Sequence, residues 1–317
     1  MSTGFESADI DHGAASSPDM LERPPRTVGA GRDGPHGVAR VVSAAEVVGL
    51  YALCILGALG ISALLVELTG GDSVAVFNAL IDGSIRGPGR LGETLGVAAP
   101  LLVVALGAII SNRAGLVNIG QEGQLFIGAA FATYVGTKMG GPGPVVIFAL
   151  LVASAIGGAL WAGIAAGLKY RRNVPEVLTT LLLVTIAAQL SGFGLKNEWL
   201  LLSPPEGRAN RQQISEQLDS ATRIPRIEVF GNDFPISVFF ALGAALLVGF
   251  LLARTVWGFR LRALGHNQRT AQRTGVAAAR YGSGALLISG GFAGLAGGVM
   301  LAGGDFGNYT LVPGFPA

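Results

Sequence analysis

The sequence has one cysteine, Cys54, and three scattered histidines, His12, His36 and His266. One thiol gives no disulfide framework, and dispersed imidazoles suggest no metal site. Charge is scarce as well: 13% of residues are Asp, Glu, Lys or Arg, where a soluble domain carries about 25%. No G-x-x-x-x-G-K-[ST] string is present, so no phosphate-cradling loop for ATP lies in this chain. No convergent set of nucleophile, base and acid suggests an enzyme. What fills the space is apolar: 50% of residues are hydrophobic, mean hydropathy is +0.55, and 49 residues are glycine. This composition indicates a polytopic membrane protein, with small residues available for close helix contacts in lipid.

The expected fold is all-α, a transmembrane helix bundle. A span needs roughly 20 apolar residues. Seven stretches meet or approach this, 47–66, 91–111, 116–137, 143–168, 177–195, 235–253 and 282–303. Residues 1–46 read as a polar, disordered tail preceding a transmembrane domain over 47–317. The first apolar run lies too far in for a cleaved signal and reads as a retained anchor. Lys and Arg set orientation. With the N-terminus cytoplasmic, Arg23, Arg26, Arg32, Arg40, Arg113, Lys169, Arg171 and Arg172 fall inside. The loop 254–281 adds Arg254, Arg260, Arg262, Arg269, Arg273 and Arg280 and has no acid. The loop 196–234 is then external.

Two stretches carry the functional argument. The first is "GLVNIGQEGQLFIGA", residues 115–129, which sets Asn118, Gln121, Glu122 and Gln124 inside an apolar run. On a helix, Asn118, Gln121 and Glu122 share a face by their i, i+3, i+4 spacing, and Gln124 points elsewhere. An acid within a span must face protein or water. One reading pairs Glu122 with Arg113 at an irregular helix start near Gly115 and Gly120; the other lines a translocation path with this polar face. The second stretch is the basic loop, read as a positive-inside anchor, an anionic-lipid contact or a docking element. It lacks the interleaved aromatics of a nucleic-acid surface, which argues against that partner. A short helix is expected from about Asn267 to Thr274, bounded by Gly265 and Gly275, with Ala271 letting a partner surface come close. Gly290, Gly294 and Gly298 form a Gly-xxx-Gly-xxx-Gly face in the last span, and Gly163 and Gly167 a smaller one; both read as helix packing.

The order Gly258, Arg260, Arg262, Ala263, Gly265, Asn267, Ala271, Gly275 resembles the cytoplasmic coupling loop of bacterial ABC-importer permeases. The branch concerned handles simple sugars, nucleosides and branched-chain amino acids. "RAGLVNIGQEGQLFIGA" and "NVPEVLTTLLLVTIAAQ", with Glu176, Thr179 and Thr180 in order, resemble its nucleoside and sugar members. Those members commonly continue Leu-Asn-Tyr-Ile where this chain has Leu183, Val184, Thr185 and Ile186.

The resemblance implies a permease subunit in a bacterial plasma membrane, with no cofactor of its own and ATP hydrolysed on a separate ATP-binding subunit. It also implies a second permease subunit and an external substrate-binding lipoprotein. The coupling residues would be Arg260, Arg262, Gly265, Asn267, Ala271 and Gly275. The substrate would be a nucleoside or simple sugar, with branched-chain amino acids as the alternative. Family members continue beyond the position of Ala317 with further helices, so the chain is expected to be partial. The competing class is an ATP-independent carrier, but such a carrier needs ionisable groups in several spans, and apart from Glu122 these are nearly free of them.

Overall fold

The computed structural model describes residues 44–197, 199–202, 214–229, 232–303 and 309. The polar tail expected over 1–46 therefore lies almost wholly outside the described residues. The chain divides into two compact units, residues 1–73 and 74–317.

The first unit contributes α1 (Ala44–Leu68). Its most apolar stretch has a mean hydropathy of 2.3 and is exposed throughout. A helix apolar around its whole circumference fits a lipid-facing span. After it, the Glu67 carboxylate accepts from the Ser73 amide at 3.1 Å and the Ser73 hydroxyl at 2.7 Å.

In the second unit, α2 (Ser73–Ile81) runs into a π-helical turn at Asp82–Arg86. The long helices follow: α3 (Arg90–Arg113), α4 (Gln121–Lys138), α5 (Gly143–Arg172), α6 (Glu176–Gly194) and α7 (Ile236–Arg254). Two shorter ones, α8 (Val256–His266) and α9 (Gln268–Arg273), precede α10 (Ala278–Gly303). Six helices among the described residues are long and apolar enough to cross a membrane: α1, α3, α5, α6, α7 and α10. The third expected span is the exception. Residues 116–119 are not helical, so α4 starts only at Gln121. It is 18 residues long, with Gln121, Glu122, Gln124 and Lys138 lowering its hydropathy.

The bundle is organised around α10, which packs most extensively on α5 and then on α4 and α3. In its most apolar stretch 67% of residues are buried. Gly128 of α4, Gly158 of α5 and Gly290 and Gly294 of α10 meet at one junction. A Cβ on Gly294 would collide with the Ser154 carbonyl, and one on Gly128 with the Gly294 backbone. Gly298 abuts the Ser154 side chain. Lipid gives helices no hydrophobic reason to associate, so backbone approach and dispersion must supply the attraction. The other expected pair divides: Gly163 lies against Leu287, while Gly167 has open space where a Cβ would sit. Gly157 and Gly158, more than two turns earlier, pack instead, against Phe131 and against Gly290 and Gly294.

The two ends of the bundle have separate cores. At one end Leu106, Ile110, Leu116, Leu252, Leu261, Leu264 and Leu286 join α3, α7, α8 and α10. At the other, Leu195 at the end of α6 and Leu201 and Leu218 from the 196–234 loop pack with Val146, Leu150 and Tyr309. That loop ends in an antiparallel hairpin, β1 (Arg226–Val229) with β2 (Asn232–Pro235), pairing Ile227 with Phe234. Lys138 ties it to α4 through Glu216 at 3.3 Å. Neither the hairpin nor α2 is among the expected elements.

Gly294→Leu is expected to destabilise the bundle by at least about 1–3 kcal/mol through overpacking. The measurement is thermal unfolding and monodispersity in detergent; Gly167→Ala, in open space, should leave both unchanged.

Candidate functional site

The segment joining α3 to α4 begins with a sharp stop. Gly115 takes a φ of +72°, and Leu116 N–H donates back to the Ser111 carbonyl at 3.0 Å. This is the glycine-dependent helix ending expected where the chain must leave in a left-handed conformation. The chain then runs without regular structure to Gly120, the residue before α4.

This irregular run changes which polar groups meet. Asn118 is not helical, so the face predicted for Asn118, Gln121 and Glu122 does not exist. Asn118 faces Gln124, the residue predicted to point elsewhere. The two amides exchange hydrogen bonds, Asn118 Nδ2 to Gln124 Oε1 at 2.9 Å and Gln124 Nε2 to Asn118 Oδ1 at 3.0 Å. Asn118 Nδ2 also donates to Ser289 Oγ of α10 at 2.9 Å, and its Oδ1 accepts from Gly120 N–H at 3.1 Å. Asn118 is 8% exposed, Gln124 1% and Ser289 0%. The group is a closed clamp that pins the start of α4 to α10. Its amides are committed to each other and have little left to offer a solute. Gln121 is likewise occupied, donating to the Val104 carbonyl of α3 at 3.1 Å.

Glu122 stands apart. It is exposed in the first turn of α4, where a carboxylate suits the helix dipole. No ion pair among the described residues joins it to Arg113, so the expected pairing is absent. On its other flank α4 lies against α6: a Cβ on Gly120 would come 2.8 Å from the Thr180 carbonyl, and one on Gly123 2.9 Å from Val184 Cα. At the α5–α6 corner, Asn173 takes a φ of 56°, and Lys169 pairs with Glu176 at 2.5 Å. Thr180 donates to the Glu176 carbonyl at 2.7 Å, and Thr179 to Glu176 O at 3.0 Å. These three motif residues therefore build the start of α6.

The basic loop is a folded element. Thr255 breaks the chain between α7 and α8, and its hydroxyl caps α8 by accepting from Gly258 N–H at 3.2 Å. Gly258 must be small, because a Cβ there would strike the Leu251 and Leu252 carbonyls. Arg262 donates to the Leu252 carbonyl, and Arg260 to the Tyr281 hydroxyl with its guanidinium 5.6 Å from that ring's centroid. Both arginines are thus fixed within the chain, holding α8 to α7 and α10. The helix expected over 267–274 is present as α9. Asn267 caps it by accepting from Thr270 N–H at 3.1 Å, and Gly275 closes it with a φ of +86°. Ala271, expected to admit a partner, is 3% exposed and faces the bundle's own core with Leu264 and Val276. The surface α9 presents is Gln268, Arg269, Gln272 and Arg273.

Gly265 occupies a joint between the two motifs. A Cβ on it would come 2.5 Å from the Arg113 carbonyl and 3.0 Å from Gly115 N, and one on Gly115 3.0 Å from Gly265 Cα. Backbone meets backbone at the point where α3 ends.

The partners that sequence reasoning missed are Ser289 and Tyr309. Tyr309 is buried; its hydroxyl donates to the Phe126 carbonyl at 3.2 Å, and its amide donates to Ser215 Oγ at 2.7 Å. Burial pushes that hydroxyl up to about 12. A serine 171 residues from its partner and a tyrosine beyond the last span carry no local pattern that would have flagged them.

Residues 90–313 match the family described as the permease component of the branched-chain amino acid transport system. The chain belongs to this permease family. The guanosine ABC transporter permease protein NupP of Bacillus subtilis is 33% identical over 74% of this chain and 66% of its own length. The glucose ABC transporter permease protein TsgB13 of Haloferax volcanii is 29% identical over 83% and 70%. The nucleoside ABC transporter permease protein NupC of Lactococcus lactis is 27% identical over 68% and 67%. The chain thus spans about two thirds of the length of these relatives. No solved structure matches it. The matched region of this permease runs from the start of α3 to beyond α10, and so contains both the amide clamp and the basic loop.

Gln124→Leu in the permease leaves Asn118 without its reciprocal partner and is expected to cost about 1–3 kcal/mol. Ser289→Ala removes one bond and should cost less. Thermal unfolding in micelles checks both, and the double variant should cost less than the sum, because both act on Asn118.

Proposed function

We propose that the chain is the membrane-spanning permease subunit of an ATP-binding-cassette importer for nucleosides or simple sugars. Family membership over residues 90–313 carries this reading. Relatives whose names print guanosine, nucleoside and glucose support the substrate class. ATP hydrolysis belongs to a separate subunit, a second permease subunit completes the path, and a substrate-binding lipoprotein delivers the solute from outside. The N-terminus is cytoplasmic, which puts the acid-free loop 254–281 on the cytoplasmic side.

In this reading α9 is the docking element for the ATP-binding subunit. It is capped at both ends and seated on the core through Ala271. Its outer face of Gln268, Arg269, Gln272 and Arg273 is open to a partner groove. Gly265, Ala271, Arg260 and Arg262 act from behind, seating α8 and α9 on the bundle.

Two measurements test it. Uptake into vesicles that hold the assembled complex should stop when the ATP-binding subunit is inactivated; uptake that persists sinks the importer reading. Reversing charge on α9 with Arg269→Glu and Arg273→Glu should lower uptake at least tenfold. The same variant should release the ATP-binding subunit during affinity purification while the permease stays folded in the membrane. Unchanged uptake would reduce α9 to a positive anchor.

A further inference from the structure

α6 is an apolar helix with two exposed polar residues in its middle, Thr185 and Gln189, one turn apart on one face. Thr185 donates within its own helix to the Leu182 carbonyl at 2.8 Å, leaving its oxygen free to accept. Gln189 has no hydrogen-bond partner among the described residues. Counted from Glu176 at about 1.5 Å per residue, Thr185 lies roughly 13 Å and Gln189 roughly 20 Å into a helix about 28 Å long. An amide without a partner at that depth belongs against protein or water, not acyl chains.

α4 and α6 run parallel, Gly120 beside Thr180 and Gly123 beside Val184. α10 and α5, packed on each other, lie on one side of the α4–α6 seam. Gln124 turns to that side and reaches Ser289 of α10 through Asn118, and the Leu183 carbonyl accepts from Trp161 of α5 at 3.2 Å. At 3.6 residues per turn, Thr185 stands roughly 120° and Gln189 roughly 160° around α6 from the Thr180–Val184 face that meets α4, so both lie on the outer face of α6. Leu178, Leu181 and Leu182 surround them, all exposed.

We infer that Thr185 and Gln189, one turn apart on the outer face of α6, form a polar ladder that faces water and an uncharged, polyhydroxylated solute on its way across the membrane. The inference rests on the importer reading and moves the candidate path from the amide clamp to this ladder. A hydroxyl oxygen and an amide accept from hydroxyl groups, and the amide donates to them as well. The ladder contains no cation to select an anion.

The lone cysteine makes the test direct. In a Cys54→Ser background, assembled with its partner subunits in vesicles, single cysteines replace Thr185, Gln189 and, as a lipid-facing control, Leu190. Thr185→Cys and Gln189→Cys should react with a charged methanethiosulfonate reagent at least tenfold faster than Leu190→Cys, and guanosine or glucose should slow that reaction. Gln189→Leu should raise the KM for the transported probe at least fivefold. A Gln189→Cys as inert as Leu190→Cys, labelling that neither probe slows, or an unchanged KM in Gln189→Leu would overturn the ladder. ATP dependence of uptake by the Cys54→Ser parent is read separately: ATP-independent uptake refutes the importer reading, whereas ATP-dependent uptake with inert cysteines refutes the ladder alone.

Discussion

α10 can occupy the middle of the bundle only because the face it turns to α4 and α5 is nearly bare backbone. Gly290 and Gly294 meet Gly158, and Gly294 meets Gly128, at distances that leave no room for a methyl group. In water such a seam would be one contributor beside a large hydrophobic term; in lipid the acyl chains are as apolar as leucine. Dispersion between closely approaching backbones therefore carries the association. The other contacts of α10 follow from this placement, since a helix held by α5 and α4 has its remaining flank free for α3.

That placement makes the amide clamp possible. Ser289 immediately precedes the first glycine of the seam, so the close approach that seats Gly290 also sets a hydroxyl within 2.9 Å of Asn118. The clamp in turn holds α4 at its broken start, where four non-helical residues would otherwise leave unpaired polar groups inside the bundle. The cluster shows how a membrane protein tolerates irregular backbone at depth, by surrounding it with side-chain amides that imitate the missing helix. Glu122 differs from its neighbours: Asn118 and Gln124 are buried and bonded to each other, while Glu122 is exposed.

The span pattern, the capped helix in the basic loop and the small-residue face of α10 were legible in the sequence, because each is a local pattern of composition or spacing. The clamp was not. Helical periodicity was extended back through Asn118, although Gly115 and Gly120 on either side allow the chain to leave helical geometry, and this assigned Gln124 to the wrong side. Ala271 was misread for a related reason: a small residue fits equally well beneath a partner or beneath its own core, and only Leu264 and Val276, brought to it by the turn at Gly275, decide between them. Thr185 and Gln189 lie in a motif noted for its resemblance, yet their exposure depends on which flank of α6 is covered by α5, a tertiary fact with no signature in local spacing.

The contact between Gly265 and Gly115 connects these parts mechanically. α8 is held to α7 by Arg262 and to α10 by Arg260, and at its far end its backbone lies directly on the turn that ends α3. No side chain lies between the two glycines to absorb a displacement, and packed interiors transmit small shifts. A movement of α9 along the membrane surface therefore has to shift Gly115 or open the contact. Three residues beyond Gly115 is Asn118, clamped to both α10 and Gln124, and one turn into α4 is Glu122. The two stretches that stand out in the sequence, 115–129 and 254–281, are neighbours at this joint.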